Sequence, residues 1–453
     1  MSGRNLFARL VRALVLISSF SVAVGTAGAQ VPDHAQHHPA APPPQQPVDH
    51  SQHQMPMDTI IDLPHGREGS GTSWLPDASP MYAVHGTYGE WRLMGHGNAF
   101  LQYLHEGGDR GDDQFGSINW VMGMASRSIQ DARLTLRGML SIEPFTIGGC
   151  GYPNLLASGE VCDGGLIVDK QHPHDLFMEI AAQYDRPLSP TVGLQLYGGL
   201  AGEPALGPVA FPHRISAISN PIAPLSHHWL DASHITFGVF TGGIYGRQWK
   251  VEGSVFNGRE PDDERYDFDF DALDSFSGRA WYLPNENLAL QVSAGHLAEA
   301  EEDVDGGPRV DVDRVTASAT YHLPFREGSS TWASTLAWGR NMEEALATSF
   351  VLAETNVTFD EQDAWYGRLE IGRKSAHDLD IHGVEADRVF TLSKVQAGYT
   401  RYFESWHRLK PGVGAALTMS LVPSALDLVY GNRASFGFGV YVTLRPGVRP
   451  GSE

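Results

Sequence analysis

The chain is short of cysteine, of basic residues and of long apolar runs. It has 2 Cys in 453 residues, too few for a scaffold held together by several disulfides. Its 32 Lys and Arg against 53 Asp and Glu give a net charge of -21, which excludes a nucleic-acid partner because phosphate backbones are bound by excess basic residues. After residue 30, no apolar stretch approaches the roughly 20 residues of a spanning helix, so a helical membrane protein is excluded.

Residues 1–29 have the pattern of an export signal. Arginines precede an apolar stretch at 14–24, and small residues at 27–29 fit a cleavage site. The apolar stretch is too short for a transmembrane anchor. We therefore expect an exported protein in an oxidising compartment, where Cys150 and Cys162 would form a disulfide within one long loop.

Residues 30–70 are rich in Pro, Gln and His and have almost no apolar periodicity, which predicts a disordered arm. Imidazole suits Cu(II), Zn(II) and Ni(II), and thioether suits Cu(I), so this segment is a candidate metal-binding arm. The alternative is a polar linker whose histidines are incidental. The candidate ligands are His34, His37, His38, His50, His53, Met55 and Met57. Residues 71–90 would form a linker or a plug.

From residue 91 onward, apolar residues alternate with polar or small ones. Period two is typical of strands with one apolar and one polar face, and no long window has a helical period. The pattern predicts 16 strands, at 92–104, 115–126, 132–142, 175–185, 191–201, 233–242, 247–257, 275–282, 288–297, 314–323, 330–340, 347–356, 363–374, 388–404, 409–422 and 434–445.

The predicted connections alternate between long loops, such as 143–174 and 202–232, and short turns, such as 186–189. Transmembrane β-barrels have long loops on one side and short turns on the other. The predicted fold is therefore all-β: an antiparallel transmembrane β-barrel of about 16 strands at 91–446, preceded by the disordered arm and followed by a tail at 447–453. Because period two alone does not separate a polar lumen from a polar surface, a secreted multi-sheet protein is the alternative.

Charged residues on the polar face of two strands would line the lumen. On one strand, Trp365, Leu369 and Ile371 oppose Arg368 and Glu370. The predicted lumen residues are Lys250, Glu252, Arg368 and Glu370, of which the last two would set selectivity. Aromatic residues near strand ends fit the girdles of a membrane barrel: Trp91, Trp281, Tyr282 and Trp406.

Two long loops carry groups of histidines. His172-Pro173-His174-Asp175 ends the longest loop, and the next long loop brings His213, His227, His228, Asp231 and His234. Both loops emerge on the same side and flank a hairpin, so the groups could converge on a metal or substrate site. The alternative is a set of loop histidines bonded to the backbone or folded inward as a constriction. The candidate ligands are His172, His174, Asp175, His227, His228 and His234.

Several stretches resemble a family of largely uncharacterised exported bacterial proteins that look like outer-membrane barrels. They are Gly71-Thr72-Ser73-Trp74-Leu75-Pro76, Pro80-Met81, Gly202-Glu203-Pro204-Ala205 and Ser226-His227-His228-Trp229. This resemblance covers most of the mature chain and implies no assigned chemistry. The arm alone resembles the His/Met-rich leaders of outer-membrane copper-resistance proteins, which implies copper handling. One departure is that such barrels usually end on an aromatic residue, whereas this chain continues to Glu453.

No Gly-x-Ser-x-Gly elbow, phosphate loop or His-Glu-x-x-His motif occurs, so we expect no enzyme. The expected protein is an outer-membrane pore or exporter for a small solute, in contact with membrane lipid, with its arm in the periplasm. It would require no cofactor, and its metal partner would be copper, or zinc or nickel. Loops 143–174 and 202–232 would gate it. The alternatives are a secreted or periplasmic β protein that sequesters metal without a pore, and a barrel enzyme that hydrolyses lipid.

Overall fold

A computed structural model describes residues 60–301, 309–343 and 346–447. A short strand, β1 (Val84–Tyr88), leads into the wall, and β5 (Tyr152–Cys162) and β6 (Gly165–Gln171) form a separate hairpin. The wall strands are β2 (Trp91–Glu106), β3 (Asp113–Ile129), β4 (Ala132–Leu140), β7 (Phe177–Ser189), β8 (Val192–Gly202), β9 (Thr236–Tyr245), β10 (Trp249–Phe256), β11 (Ser275–Asn285), β12 (Leu288–Glu301), β13 (Val310–Phe325), β14 (Ser330–Met342), β15 (Ala347–Phe359), β16 (Asp363–Ser375), β17 (Val389–Tyr402), β18 (Leu409–Leu421) and β19 (Ala434–Pro446).

The wall is a closed antiparallel barrel of 16 strands, which confirms the predicted fold. Each strand pairs with its neighbours in sequence, and β19 returns to pair with β2, from Gly437↔Glu106 to Leu444↔Ala99. Closure leaves no unpaired edge, which is the condition for a sheet surrounded by lipid. A single closed barrel also excludes the multi-sheet alternative.

The two faces of the wall differ in polarity as the alternation predicts. Along β19, Phe436 and Val440 are exposed on the outside, whereas Gly437, Tyr441 and Thr443 point inward. Along β10, Trp249, Val251 and Val255 are outward and Lys250, Glu252 and Ser254 are inward. One predicted girdle residue is wrong, because Trp281 is buried inside the barrel, where its indole N–H donates to Glu252. The outer surface is therefore apolar and the interior polar.

Long and short connections lie at opposite ends of the barrel. We call the end with the connections 141–176, 203–235 and 257–274 the long-loop end, and the end with turns such as 190–191 and 286–287 the short-turn end. The short helices lie in the segments that precede or connect the wall strands along the chain. They are the 3-10 turns His65–Arg67, Glu143–Phe145, Phe211–His213, Ala232–His234 and Ser424–Leu426, and the four-residue α-helices His227–Leu230 and Asp427–Tyr430. Among the described residues, every helix is too short to cross a membrane.

Three segments occupy the interior of the barrel. They are residues 60–83, called here the N-terminal plug, residues 203–235, called the inner loop, and the hairpin β5–β6, called the loop hairpin. Two expectations are corrected. The predicted arm extends too far, because Ile60 and Ile61 are buried against Trp74 and start the plug. The predicted loop 143–174 contains the loop hairpin.

The loop hairpin escaped sequence analysis because its backbone breaks the period-two pattern. Leu156, Glu160 and Asp169 all have positive φ, of 75°, 66° and 58°, which is rare for residues other than glycine. The pairing register shifts twice along the hairpin. Tertiary contacts support this conformation: the amide of Leu156 donates to Oδ1 of Asp169 at 2.7 Å.

Candidate functional site within the barrel

The inner loop is fixed at its centre by a buried network of charges. Arg214 donates to Oε1 of Glu354 at 2.7 Å and to Oδ2 of Asp231 at 2.7 Å. The second oxygen of Glu354 accepts a bond of 3.0 Å from Nε of Arg368. Burial alone would raise the pKa of Asp231, but the Arg214 guanidinium and His227 hold it well below its usual range. The carboxylate therefore stays charged in the interior and orders the loop around it.

The predicted lumen residues Arg368 and Glu370 hold the second half of the inner loop. Glu370 accepts bonds from the amides of Leu225 and Ser226 at 3.0 and 2.9 Å, and from the Ser226 hydroxyl at 2.8 Å. Arg368 donates to the carbonyl oxygen of Ile222 at 2.6 Å. Both side chains point inward, where they act as anchors for the loop; their role in selectivity stays a prediction.

Lys250 and Glu252 fix the N-terminal plug in the same way. The Lys250 ammonium donates to the carbonyl oxygen of Thr72 and lies 3.2 Å from Oε2 of Glu252. Arg279 bridges the wall and the plug, since it donates to Oε1 of Glu252 at 2.9 Å and to the Thr72 hydroxyl at 3.0 Å. Charges that a sequence pattern assigns to an open lumen thus have partners on the segments inside it.

The inner loop crosses the lumen from β10 to β2. Besides the charged anchors, it bonds to hydroxyl and amide side chains spread over the wall: Ser254, Ser293, Thr335, Gln396, Tyr402 and Asn98. Two cavities beside the loop and the loop hairpin hold about 20 and 50 Å³. Such spaces admit one or two water molecules.

The two predicted groups of histidines lie together at the long-loop end of the interior. The ring centroids of His172 and His227 are 5.8 Å apart, those of His172 and His228 5.6 Å, and those of His227 and His228 5.2 Å. One ring nitrogen of each residue lies within 4.8 Å of one ring nitrogen of each of the other two. His172 follows the loop hairpin, and the other two lie in the four-residue helix of the inner loop, so this trio joins two of the internal segments.

Each ring of the trio is oriented by its own carboxylate through Nδ1. Nδ1 of His172 lies 3.0 Å from Oε2 of Glu160. Nδ1 of His227 lies 2.9 Å from Oδ1 of Asp231, and Nδ1 of His228 lies 3.1 Å from Oε1 of Glu260. In the neutral tautomer that donates from Nδ1, the lone pair is on Nε2. The carboxylates therefore select the tautomer that metal-binding histidines use.

Burial keeps the trio neutral. It lowers the pKa of His228 to about 4 and that of His172 well below its usual value, and for His172 the charge of Arg265 adds to the effect. Burial also lowers the pKa of His227, although Asp231 opposes the shift. Near pH 7 the three rings are therefore neutral imidazoles, the protonation state that binds metal ions.

The remaining predicted ligands lie beside the trio. His174 and His234 have ring centroids 5.3 Å apart, and that of His234 is 5.2 Å from that of His227. Burial lowers the pKa of His174, but Glu143, 3.0 Å from its Nδ1, more than reverses the shift, and the net change is upward. Asp175 faces Arg265, with a closest approach of 3.7 Å. Burial raises the pKa of Asp175 to about 7.

The carboxylates Glu143, Glu160 and Glu260, which orient these rings, have no signal in the sequence pattern. They come from three different segments, and only the folded chain places them near the histidines. Only one partnership had a local signal: Asp231 follows His227 by four residues, a spacing that faces two side chains on one helical turn.

The predicted disulfide between Cys150 and Cys162 is present, with Cα atoms 5.8 Å apart. Cys150 lies just before β5 and Cys162 is the last residue of β5, so the disulfide links the two ends of the first strand of the loop hairpin. The predicted signal sequence and the arm ligands lie outside the described residues; those ligands are His34, His37, His38, His50, His53, Met55 and Met57.

No protein-family model and no curated protein matches the chain. Among solved structures it is similar to an anion-selective porin from Comamonas acidovorans, to Salmonella typhi OmpF in complex with daunomycin, and to the outer-membrane channel DcaP of Acinetobacter baumannii. The identities are 11%, 12% and 8%, over 79%, 80% and 79% of this chain and 99%, 100% and 98% of the other chains. The TM-scores are 0.48, 0.47 and 0.44. Likeness at this level carries no conclusion about solute or mechanism.

Proposed function

We propose that the protein is a gated outer-membrane channel that passes or exports a small solute. One observation carries this proposal: a closed 16-strand wall with an apolar outer face surrounds a polar interior that a separate loop crosses. Lipid accepts sheets only when they close, and an apolar outer face suits contact with acyl chains. The predicted export signal at residues 1–29 is consistent with this placement in the outer membrane.

The inner loop is the proposed gate. It leaves the wall after Gly202 and rejoins it at Thr236, and these two residues are paired with each other in the ladder of β8 and β9. Its bonds to the rest of the wall run through side chains such as Glu370 and Thr335. The loop can therefore shift without breaking the pairing of wall strands, and a shift would enlarge the small cavities beside it.

Conductance of the purified full-length protein in planar bilayers tests this proposal. We compare the wild type with a double variant, Glu370→Gln and Trp229→Phe, which removes the charge that holds Leu225 and Ser226 and the indole bond of 2.8 Å to Thr348. The expected result is a low conductance for the wild type and a larger one for the double variant. The control is Glu90→Gln with Trp406→Phe, both at exposed positions.

Two results would contradict the proposal. One is a folded double variant whose conductance equals that of the wild type and of the control. The other is recovery of the mature chain in the soluble periplasmic fraction without detergent, which would favour the secreted metal-sequestering protein. Heat-modifiable migration on gels shows in each case whether the barrel is folded.

We further propose that the solute class is transition-metal ions, copper first. The support is compositional: residues 31–58 combine five histidines with two methionines, ligands that suit Cu(II) and Cu(I). Calorimetric titration with Cu(II) of the wild type and of a variant with these five histidines changed to glutamine measures what the arm binds. Equal copper uptake by both would leave the arm as a linker only.

A further inference from the structure

Two of the three interior histidines lie in the inner loop, but the proposed gate makes no use of their metal-binding chemistry. We propose that His172, His227 and His228 bind one divalent transition-metal ion of the zinc and copper class through their Nε2 atoms. The ion would join the chain after the loop hairpin to the helix of the inner loop. This site is separate from the arm in sequence and would bind independently of it.

The spacing of the ring nitrogens is close to that of a metal site. A tetrahedral ion with bonds of about 2.1 Å to nitrogen holds its ligands roughly 3.4 Å apart. One nitrogen of each ring lies within 4.8 Å of one nitrogen of each of the other two, so closing around an ion requires ring movements of about 1 Å. Rotation of side chains in a loop and a short helix provides such movements without shifting the wall.

The rings of the trio are oriented as metal-binding histidines are. Three adjacent rings each have Nδ1 facing a different carboxylate, from Glu160, Asp231 and Glu260. A ligand histidine usually has its second nitrogen bonded to a carboxylate or carbonyl, which fixes the ring and raises its basicity. All three rings of the trio have this arrangement.

The free ring nitrogen gives the trio its metal-binding chemistry. With Nδ1–H donating to a carboxylate, each Nε2 carries the lone pair through which an imidazole binds a metal ion. One cation can accept all three lone pairs. Three imidazoles without a thiolate suit Zn(II), Cu(II) or Ni(II), and they leave a coordination position for water or solute.

The backbone makes room for the rings. Gly159 has φ of +127°, and a Cβ at this position would lie 2.3 Å from the ring of His228. Any larger residue would displace the ring that Glu260 orients. Glu160, the next residue, contributes the carboxylate that faces His172. The loop hairpin thus supplies both the space for one ligand and the partner of another.

The test uses full-length protein in which the five arm histidines are glutamine, so that the arm cannot mask the interior site. This background protein is stripped with a chelator and titrated with Zn(II) and with Cu(II) near pH 7.5, and bound metal is measured by elemental analysis. We expect one equivalent per chain. The triple variant His172→Gln, His227→Gln, His228→Gln should lose it, whereas His322→Gln, which changes a buried histidine in the wall, should retain it.

Glu160→Gln gives a graded result, because it keeps all three ligands and changes only an orienting carboxylate. We expect metal binding weaker by about 10- to 100-fold. Equal metal uptake by the background protein and by the folded triple variant overturns the site. Absence of binding in the background protein overturns it as well, and neither result affects the conductance that tests the gate.

If the triple variant does not fold, as judged by heat-modifiable migration, the spectrum of Cu(II) bound to the background protein decides. Electron paramagnetic resonance with nitrogen hyperfine splitting from three imidazoles supports the site. Splitting from fewer than three nitrogens overturns it.

Discussion

In the wall, pairing runs without a break from Leu409↔Pro446 to Leu421↔Ala434, whereas the inner loop is held by bonds between individual side chains and backbone groups. The wall depends on a repeated property, the alternation of apolar and polar faces. The segments inside the barrel are held by particular residues, such as Arg214 and Glu370, whose partners lie far away in sequence. The effect of a substitution should therefore depend on which of the two regions it touches.

The largest effect is expected from Arg214→Met, which leaves the buried carboxylates of Asp231 and Glu354 without their shared cation. Removing one partner of a buried ion pair typically costs about 3–5 kcal/mol. Because the wall keeps its pairing, we expect the loss to appear as opening of the inner loop. Limited proteolysis within residues 203–235 and denaturant unfolding measure the two separately.

The matched control is Arg326→Met, which removes an exposed pair with Asp360, 2.9 Å apart, at the short-turn end. Exposed pairs contribute about 0–1 kcal/mol. If both arginine variants changed the rate of proteolysis within the inner loop equally, the distinction between the wall and the segments inside it would fail.

The next effect concerns the outer face. Leu417, in β18, is 69% exposed, and Leu417→Arg should destabilise the barrel in lipid by about 2–4 kcal/mol if the residue faces the middle of a bilayer. Leu428 is 97% exposed but lies in a short helix at the long-loop end, so Leu428→Arg should have almost no effect. Urea unfolding in lipid vesicles compares the variants. A larger loss for Leu428→Arg would contradict the placement of the membrane.

Glu370→Gln should have a smaller effect. The substitution keeps the shape of the side chain but replaces charge-assisted bonds to Leu225 and Ser226 with neutral ones. Bonds to charged groups contribute about 1.5–3 kcal/mol, which bounds the loss. Amide hydrogen exchange at Leu225 and Ser226 should become faster, while exchange in the wall should not change. Protection that stays the same at both amides would show that Glu370 is not an anchor.

The last effect is gradual, because it develops with pH and needs no loss of a contact. Burial raises the pKa of Glu203 to about 7, although Arg279, 3.3 Å away, opposes the shift. A carboxyl with a raised pKa in the folded state stabilises the fold below its unfolded value, near 4.5, and this stability is lost as the pH rises to about 7. The slope is at most about 1.4 kcal/mol per pH unit. Glu203→Gln should flatten the stability profile between these values, and an unchanged profile would exclude Glu203 as the cause.

Sequence patterns predict the wall well because its strands obey one simple rule. Alternation along 434–445 and 247–257 correctly separates outward from inward residues, since each inward position meets the same polar interior. Trp281 obeys the same alternation, since its neighbour Tyr282 faces outward. The girdle prediction is wrong for Trp281 because it rests on closeness to a strand end and not on the face of the strand, and the indole N–H has its partner inside, in Glu252.

The sequence predicts the segments inside the barrel only in part. The grouping of His172 with His227 and His228 follows from two loops at one end of one hairpin, which the strand order implies. The carboxylates Glu160 and Glu260 do not follow, because their positions depend on the fold of irregular segments. The predicted arm includes residues 60–70 because the one short apolar stretch there, at Ile60 and Ile61, has no periodicity of its own.

The attachment of the inner loop to adjacent strands has a consequence for the order of unfolding. Gly202 and Thr236 pair directly, so the inner loop begins and ends at the same point of the β8–β9 pair. It can therefore leave the interior while the wall stays intact. The protein should therefore have two cooperative units, a loop that opens at a low free energy and a wall that opens only on global unfolding. The wall closes between β19 and β2, far apart in the sequence, and such non-local pairing makes its assembly slow. We therefore expect the inner loop to open and close reversibly inside a wall that stays folded.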